Sequence, residues 1–144
     1  MTKHEVQRVC KELGLRDWSA LTDTSVPLSE AEVIQSILGG EALEITADEF
    51  RQGLEVELEH GVTFPDTNVT NNHPLLTGKI VTAHLKESLD YYLRLDVAEL
   101  EGDLLKAAEA GNAEKLASVY GRLVGARYVL ARRERDRLAA AKNG

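Results

Sequence analysis

The chain is punctuated for helices and for almost nothing else. Thr46 stands three residues before Glu49. That is the spacing of a capping box, in which hydroxyl and carboxylate satisfy backbone N–H groups that a helix start leaves without partners. Phe50, Leu54 and Leu58 follow at helical spacing, and Gly61 supplies a stop. Period-two alternation bounded by turn residues, which a sheet would need, is nearly absent. An all-α fold is therefore expected.

The same punctuation recurs along the chain. Val6, Val9, Cys10 and Leu13 with Gly14 behind them predict a first short helix. Residues 15–28, with Asp17, Asp23, Ser25 and Pro27, read as an irregular connection around Trp18. Ser29 and Glu32 form a second capping box, opening a helix with Val33, Ile34, Ile37 and Leu38 that Gly39-Gly40 ends. A helix over about residues 47–60 and a polar loop to His73 come next. Pro74 then suits the first position of a helix reaching Glu109, with a bend near Asp96 or Gly102. Gly111-Asn112 separates it from a last helix over residues 113–140, on which Gly121 and Gly125 permit close approach of another helix. The expected architecture is an antiparallel helical bundle with short N-terminal helices, residues 1–144 forming one domain.

Charge and cysteine content narrow the function classes. A net charge of −7 argues against a nucleic-acid partner, which needs clustered Lys and Arg. The basic stretch Arg132–Arg137 is interleaved with Glu134 and Asp136 and reads as a solvated helix end. Cys10 is the single cysteine, so neither an intramolecular disulfide nor a thiolate cage is available. No stretch approaches the ~18 apolar residues of a membrane span, and no apolar run follows the first residues as in a secretion signal. The expected location is cytoplasmic.

The residues that carry chemistry are Glu57-Leu58-Glu59-His60 and, in reversed order, His84-Leu85-Lys86-Glu87. Residues three apart share a helix face, roughly 5–6 Å between Cβ atoms. On a wheel of about 100° per residue, Glu57 falls within the arc of Gly53, Phe50, Leu54 and Leu58, with His60 at the arc's edge. His84 falls among Ile80, Val81, Leu85, Ser88 and Tyr91, with Glu87 at the edge. Glu55 and Glu59 fall opposite, as solvated surface. A carboxylate turned into a core must be paired or bound to a cation. Glu57, His60, His84 and Glu87 are therefore the candidate ligands of a divalent metal, iron first, with manganese or zinc as alternatives. The competing reading pairs Glu57 with His84 and Glu87 with His60, or either glutamate with Arg94 or Arg127, as buried ion pairs. Tyr91, one turn from Glu87, is the candidate cofactor-binding side chain, its hydroxyl within reach of a ligand; an ordinary core tyrosine is the alternative. His4 and His73 read as surface residues.

The stretch Phe50–Gly61, continuing through Thr67-Asn68-Val69-Thr70, Thr77-Gly78-Lys79-Ile80, Ala83–Glu87 and Asp90-Tyr91-Tyr92, resembles the core of an uncharacterised microbial domain family over residues 46–100. The resemblance implies no activity. A looser similarity is to ferritin-like di-metal carboxylate bundles, whose Glu-x-x-His pairs Glu57/His60 match in order and His84/Glu87 in reverse. It implies a metal-binding helical bundle with oxidation or oxygen chemistry at an open metal position, for a substrate the sequence does not name. The alternative is a non-enzymatic helical adaptor whose His/Glu cluster is structural. A di-metal centre draws on about six side chains. A two-fold axis between identical chains would double this set of four, so a homodimer is expected.

Overall fold

The structure, a computed structural model describing residues 1–144, is helical throughout: α1 (Lys3–Leu13), α2 (Leu28–Leu38), α3 (Ala47–Thr63), α4 (Pro74–Glu87), α5 (Tyr91–Glu109) and α6 (Ala113–Asn143). Short 3-10 turns occupy Trp18–Ala20, Gly40–Glu44 and Pro65–Thr67. Contacts divide the chain into two compact units, Met1–Leu89 and Asp90–Gly144, where the sequence reads as one domain. No helix is long and apolar enough to cross a membrane.

In the first unit the α3 capping box forms as expected, Thr46 accepting from the Glu49 backbone and Glu49 from the Thr46 backbone. Gly14 ends α1 at φ 70°, a left-handed position that favours glycine. Two local expectations fail. The Ser29/Glu32 box is not made, because α2 starts two residues earlier, with Pro27 as its cap and no side-chain cap bond. Gly61 does not stop α3, which runs on to Thr63. Its lack of a side chain serves close approach instead: a Cβ there would run into the side chains of Asn72 and Asn68. Gly78 does the same for α4 against α2, where a Cβ would lie 2.8 Å from Ile34 Cγ2. Around this approach Ile34, Phe50, Leu54, Leu58, Val81 and Leu85 are buried. Burying side chains of this size contributes about 1.5–3 kcal/mol each before the entropy of ordering them.

The helix expected from Pro74 to Glu109 is in fact two. α4 ends at Glu87, Ser88 is extended (φ −159°, ψ 131°), and α5 begins at Tyr91. The break comes before Asp96 and Gly102, at a sequence without Gly or Pro. The second unit is the antiparallel hairpin of α5 and α6. Gly111 turns at φ 63°, and Asn112 caps α6 by accepting the Lys115 N–H at 3.0 Å. Leu100, Val119 and Leu123 are its buried centre, with Val97, Leu104 and Ala126 packed against them. At its base the Asp90 carboxylate is fully buried. Arg94 Nε and Nη2 donate to it at 3.0 and 3.1 Å, and Arg137 Nη1 at 2.8 Å.

Candidate functional site

The relative placement of α3 and α4 is set by the loop between them. Asn68 Nδ2 donates to the Gly61 carbonyl at 3.2 Å and to Asn72 Oδ1 at 3.0 Å, while Asn68 Oδ1 accepts the Asn72 N–H at 3.2 Å. Asn72 Nδ2 donates onward to the Trp18 carbonyl at 3.4 Å. Asn71 and Asn72 sit at φ 49° and 58°, a region that asparagine tolerates better than most side chains. His73, expected at the surface, is buried instead, its Nδ1 accepting the Leu76 N–H at 3.4 Å at the start of α4. Burial there pushes its pKa below the usual 6.5, toward the neutral imidazole that this accepting role requires.

With the two helices so fixed, Glu57 on α3 meets His84 on α4. His84 Nδ1 lies 2.9 Å from Glu57 Oε1, with side-chain exposures of 29% and 12%. This is one of the ion pairs that the competing sequence reading names. A carboxylate at Nδ1 favours a proton on that nitrogen and puts the neutral ring's lone pair on Nε2. The pair is thus an oriented imidazole at a partly exposed position. His60 and Glu87 are both exposed. No group of three or more His, Cys, Asp or Glu side chains placed to hold a metal ion is present. Of the four expected ligands, the structure brings Glu57 and His84 together. Tyr91 lies in the second unit, partly buried, with its ring edge-on to that of Tyr92 at 5.1 Å between centroids.

Two carboxylates hold positions that the wheel does not reveal. Glu55, read as solvated, accepts the Val26 N–H at 3.0 Å and pairs with Arg51 at 2.7 Å. Glu30, not singled out from sequence, is buried. Its Oε1 accepts from the Arg16 backbone N–H (2.8 Å) and Nε (3.1 Å), and its Oε2 from Trp18 Nε1 (3.0 Å) and Arg16 Nη2 (3.1 Å). Burial pushes its pKa up, but the Arg16 and Trp18 donors outweigh it and hold the carboxyl below its usual 4.5. The available signal was its spacing, since Glu30 stands four residues before Ile34 on one helix face.

Residues 6–101 match a family described as protein of unknown function (DUF5661), and the chain belongs to that family. A search of curated proteins found no match, and a search of solved structures found none.

Proposed function

We propose that the protein is a non-enzymatic helical interaction protein: a small helical unit, braced by buried polar clusters, carrying a hairpin that displays an apolar face. The observation that carries this reading is the surface of α5 and α6. Tyr120 and Val124 on α6 are 52% and 49% exposed, and Leu105 on α5 is 61% exposed. At about 100° per residue, the apolar side chains of α6 cover an arc of roughly 200°, from Ala126 through Leu123 and Leu116 to Tyr120, Val124 and Tyr128. A helix facing one core needs a stripe of little more than 100°. The excess is apolar surface without a covering partner, the mark of an interaction site.

The Glu57–His84, Glu30–Arg16–Trp18 and Asn68–Asn72 clusters fit this reading as structural braces. Each joins segments separated in sequence. The test is site-specific photo-crosslinking in cells expressing the full chain. Probes at Tyr120 and Val124 should give adducts of discrete mass, whereas probes at Arg122 and Asp136, on the far side of α6, should not. Equal labelling from all four positions, or none from any, refutes the proposal.

A metal-binding reading has one observation in its favour, the 2.9 Å approach of Glu57 to His84, since metal-bound imidazoles are oriented by a carboxylate at the other ring nitrogen. His84 would be the ligand, Glu57 its orienting group, and His60 and Glu87 would have to turn inward. Elemental analysis of untagged protein decides it. Stoichiometric iron, manganese or zinc lost in His84→Ala supports the reading, and metal-free wild type ends it.

A further inference from the structure

We infer that the groove at the open end of the α5–α6 hairpin is a binding site for a small carboxylate with an apolar body, held by Arg94 and Arg137. The groove has a volume of about 410 Å³ and is lined by Arg94, Glu134, Arg137, Leu138 and Ala141. That is the size of a small-molecule site, and the lining has the makeup of one, apolar wall with a few polar groups. It sits at the end of the hairpin away from the Gly111 turn, apart from the exposed Leu105, Tyr120 and Val124.

Its position follows from the helix register. Glu101 meets Arg127 at 3.7 Å and Arg94 meets Glu134 at 3.3 Å, so each step along α5 is answered by one back along α6. Tyr91, the first residue of α5, then stands level with Arg137, and Leu138 and Ala141 lie beyond it with no α5 side chain opposite. Leu138 is accordingly 66% exposed. α6 thus runs on past its neighbour helix, which leaves an apolar wall beside two guanidiniums.

The fully buried Asp90 carboxylate holds both guanidiniums in place, accepting from Nε and Nη2 of Arg94 and from Nη1 of Arg137. Arg94 Nη2 also donates to Glu134. Nη1 of Arg94 and Nε and Nη2 of Arg137 are left as the donors for a ligand. Both arginine side chains are about half exposed, so a ligand can reach them. Fixing an arginine in advance removes much of the ordering cost that binding otherwise carries. A planar carboxylate meets such a fork with paired N–H···O bonds. Asp90 and Glu134 balance the charge of Arg94 and Arg137, so the groove has no net charge to hold a dianion such as phosphate. A single negative charge, with an apolar body to lie on Leu138 and Ala141, fits best.

The test titrates the full chain with sodium hexanoate and, separately, with inorganic phosphate, followed in nitrogen–proton correlation NMR spectra. Hexanoate should shift the Nε–H signals of Arg94 and Arg137 and the backbone amides of Leu138 and Ala141 saturably, with a Kd on the order of 1 mM for so small a ligand. Phosphate should bind about tenfold more weakly or less. Arg137→Gln should weaken hexanoate binding by about tenfold or more. Leu138→Glu, a change at an exposed position, should do the same with unchanged helicity by circular dichroism. Arg135→Gln, an exposed arginine outside the groove, should bind hexanoate as wild type does. No saturable shift at these four residues, full binding retained in both Arg137→Gln and Leu138→Glu, or an equal loss in Arg135→Gln overturns the site. Phosphate binding as tightly as hexanoate overturns the carboxylate as its ligand.

Discussion

Replacing Glu30 by glutamine removes one charge and leaves the shape of the side chain intact. Four donors converge on the two carboxylate oxygens, two on each. Whichever way the amide is turned, its NH₂ group faces two of them. If it faces Oε2's donors, the Trp18 indole N–H loses its acceptor in a residue that is 0% exposed. If it faces Oε1's, the Arg16 backbone N–H does. A donor stranded in this way costs about 1–3 kcal/mol. The Arg16 guanidinium is 43% exposed and can turn to water, so losing its ion pair adds no more than about 1 kcal/mol. Glu30→Gln should therefore destabilise the first unit by about 1–4 kcal/mol, a fall in Tm on the order of 5–30 °C for a unit of this size. The assay is denaturant and thermal unfolding followed by circular dichroism and Trp18 fluorescence, with Glu32→Gln, at an exposed position of the same helix, as the control. The pH dependence gives an independent check. A carboxyl held below its ordinary 4.5 in the fold contributes stability above that pH and loses it as pH falls through the lowered pKa. That component should vanish in the variant. A loss below about 1 kcal/mol with the fold intact would falsify the claim that these four donors depend on one carboxylate.

Gly78→Ala should destabilise by up to about 2 kcal/mol by denaturant unfolding. The new methyl meets buried Ile34, and overpacking of about 1–3 kcal/mol exceeds the gain of up to ~1 kcal/mol in helix propensity; equal or greater stability would mean α2 and α4 part at little cost. His73 has a folded pKa depressed by burial, so the unfolded chain binds the proton more tightly, and stability falls as pH drops below 6.5 toward the folded pKa. His73→Asn, which keeps a capping oxygen, should flatten that part of the stability profile, and an unchanged slope would assign it to another group. Asp90→Asn leaves Arg94 and Arg137 without their shared carboxylate, but both guanidiniums are about half exposed and can re-solvate. The cost should be about 1–2 kcal/mol, seen as faster hydrogen exchange around Arg137; unchanged exchange there would show that the buried carboxylate does not anchor the end of α6.

Helix content was legible from the sequence because its signals are local. The Thr46–Glu49 capping box, the Gly14 stop and the Gly111-Asn112 break all act within one turn of the chain, and each appears where the residues place it. Periodicity also singled out Glu57 and His84 as inward-leaning, and the fold brings them to 2.9 Å. What the sequence could not supply depends on partners distant along the chain. The Ser29/Glu32 spacing is a sound local start signal, yet Glu30 is the acid its helix buries, because Arg16 and Trp18 arrive with their donors from another segment. Ser88-Leu89-Asp90 holds no breaker, but the helix ends there and Asp90 is held by Arg137, 47 residues away. His73 looks like loop surface until the neighbouring segments bury it. A wheel orders side chains around one axis and says which face turns inward. Which side chains then meet depends on helix crossing and loop geometry, and this is why Glu57 and His84 converge while His60 and Glu87 remain in solvent.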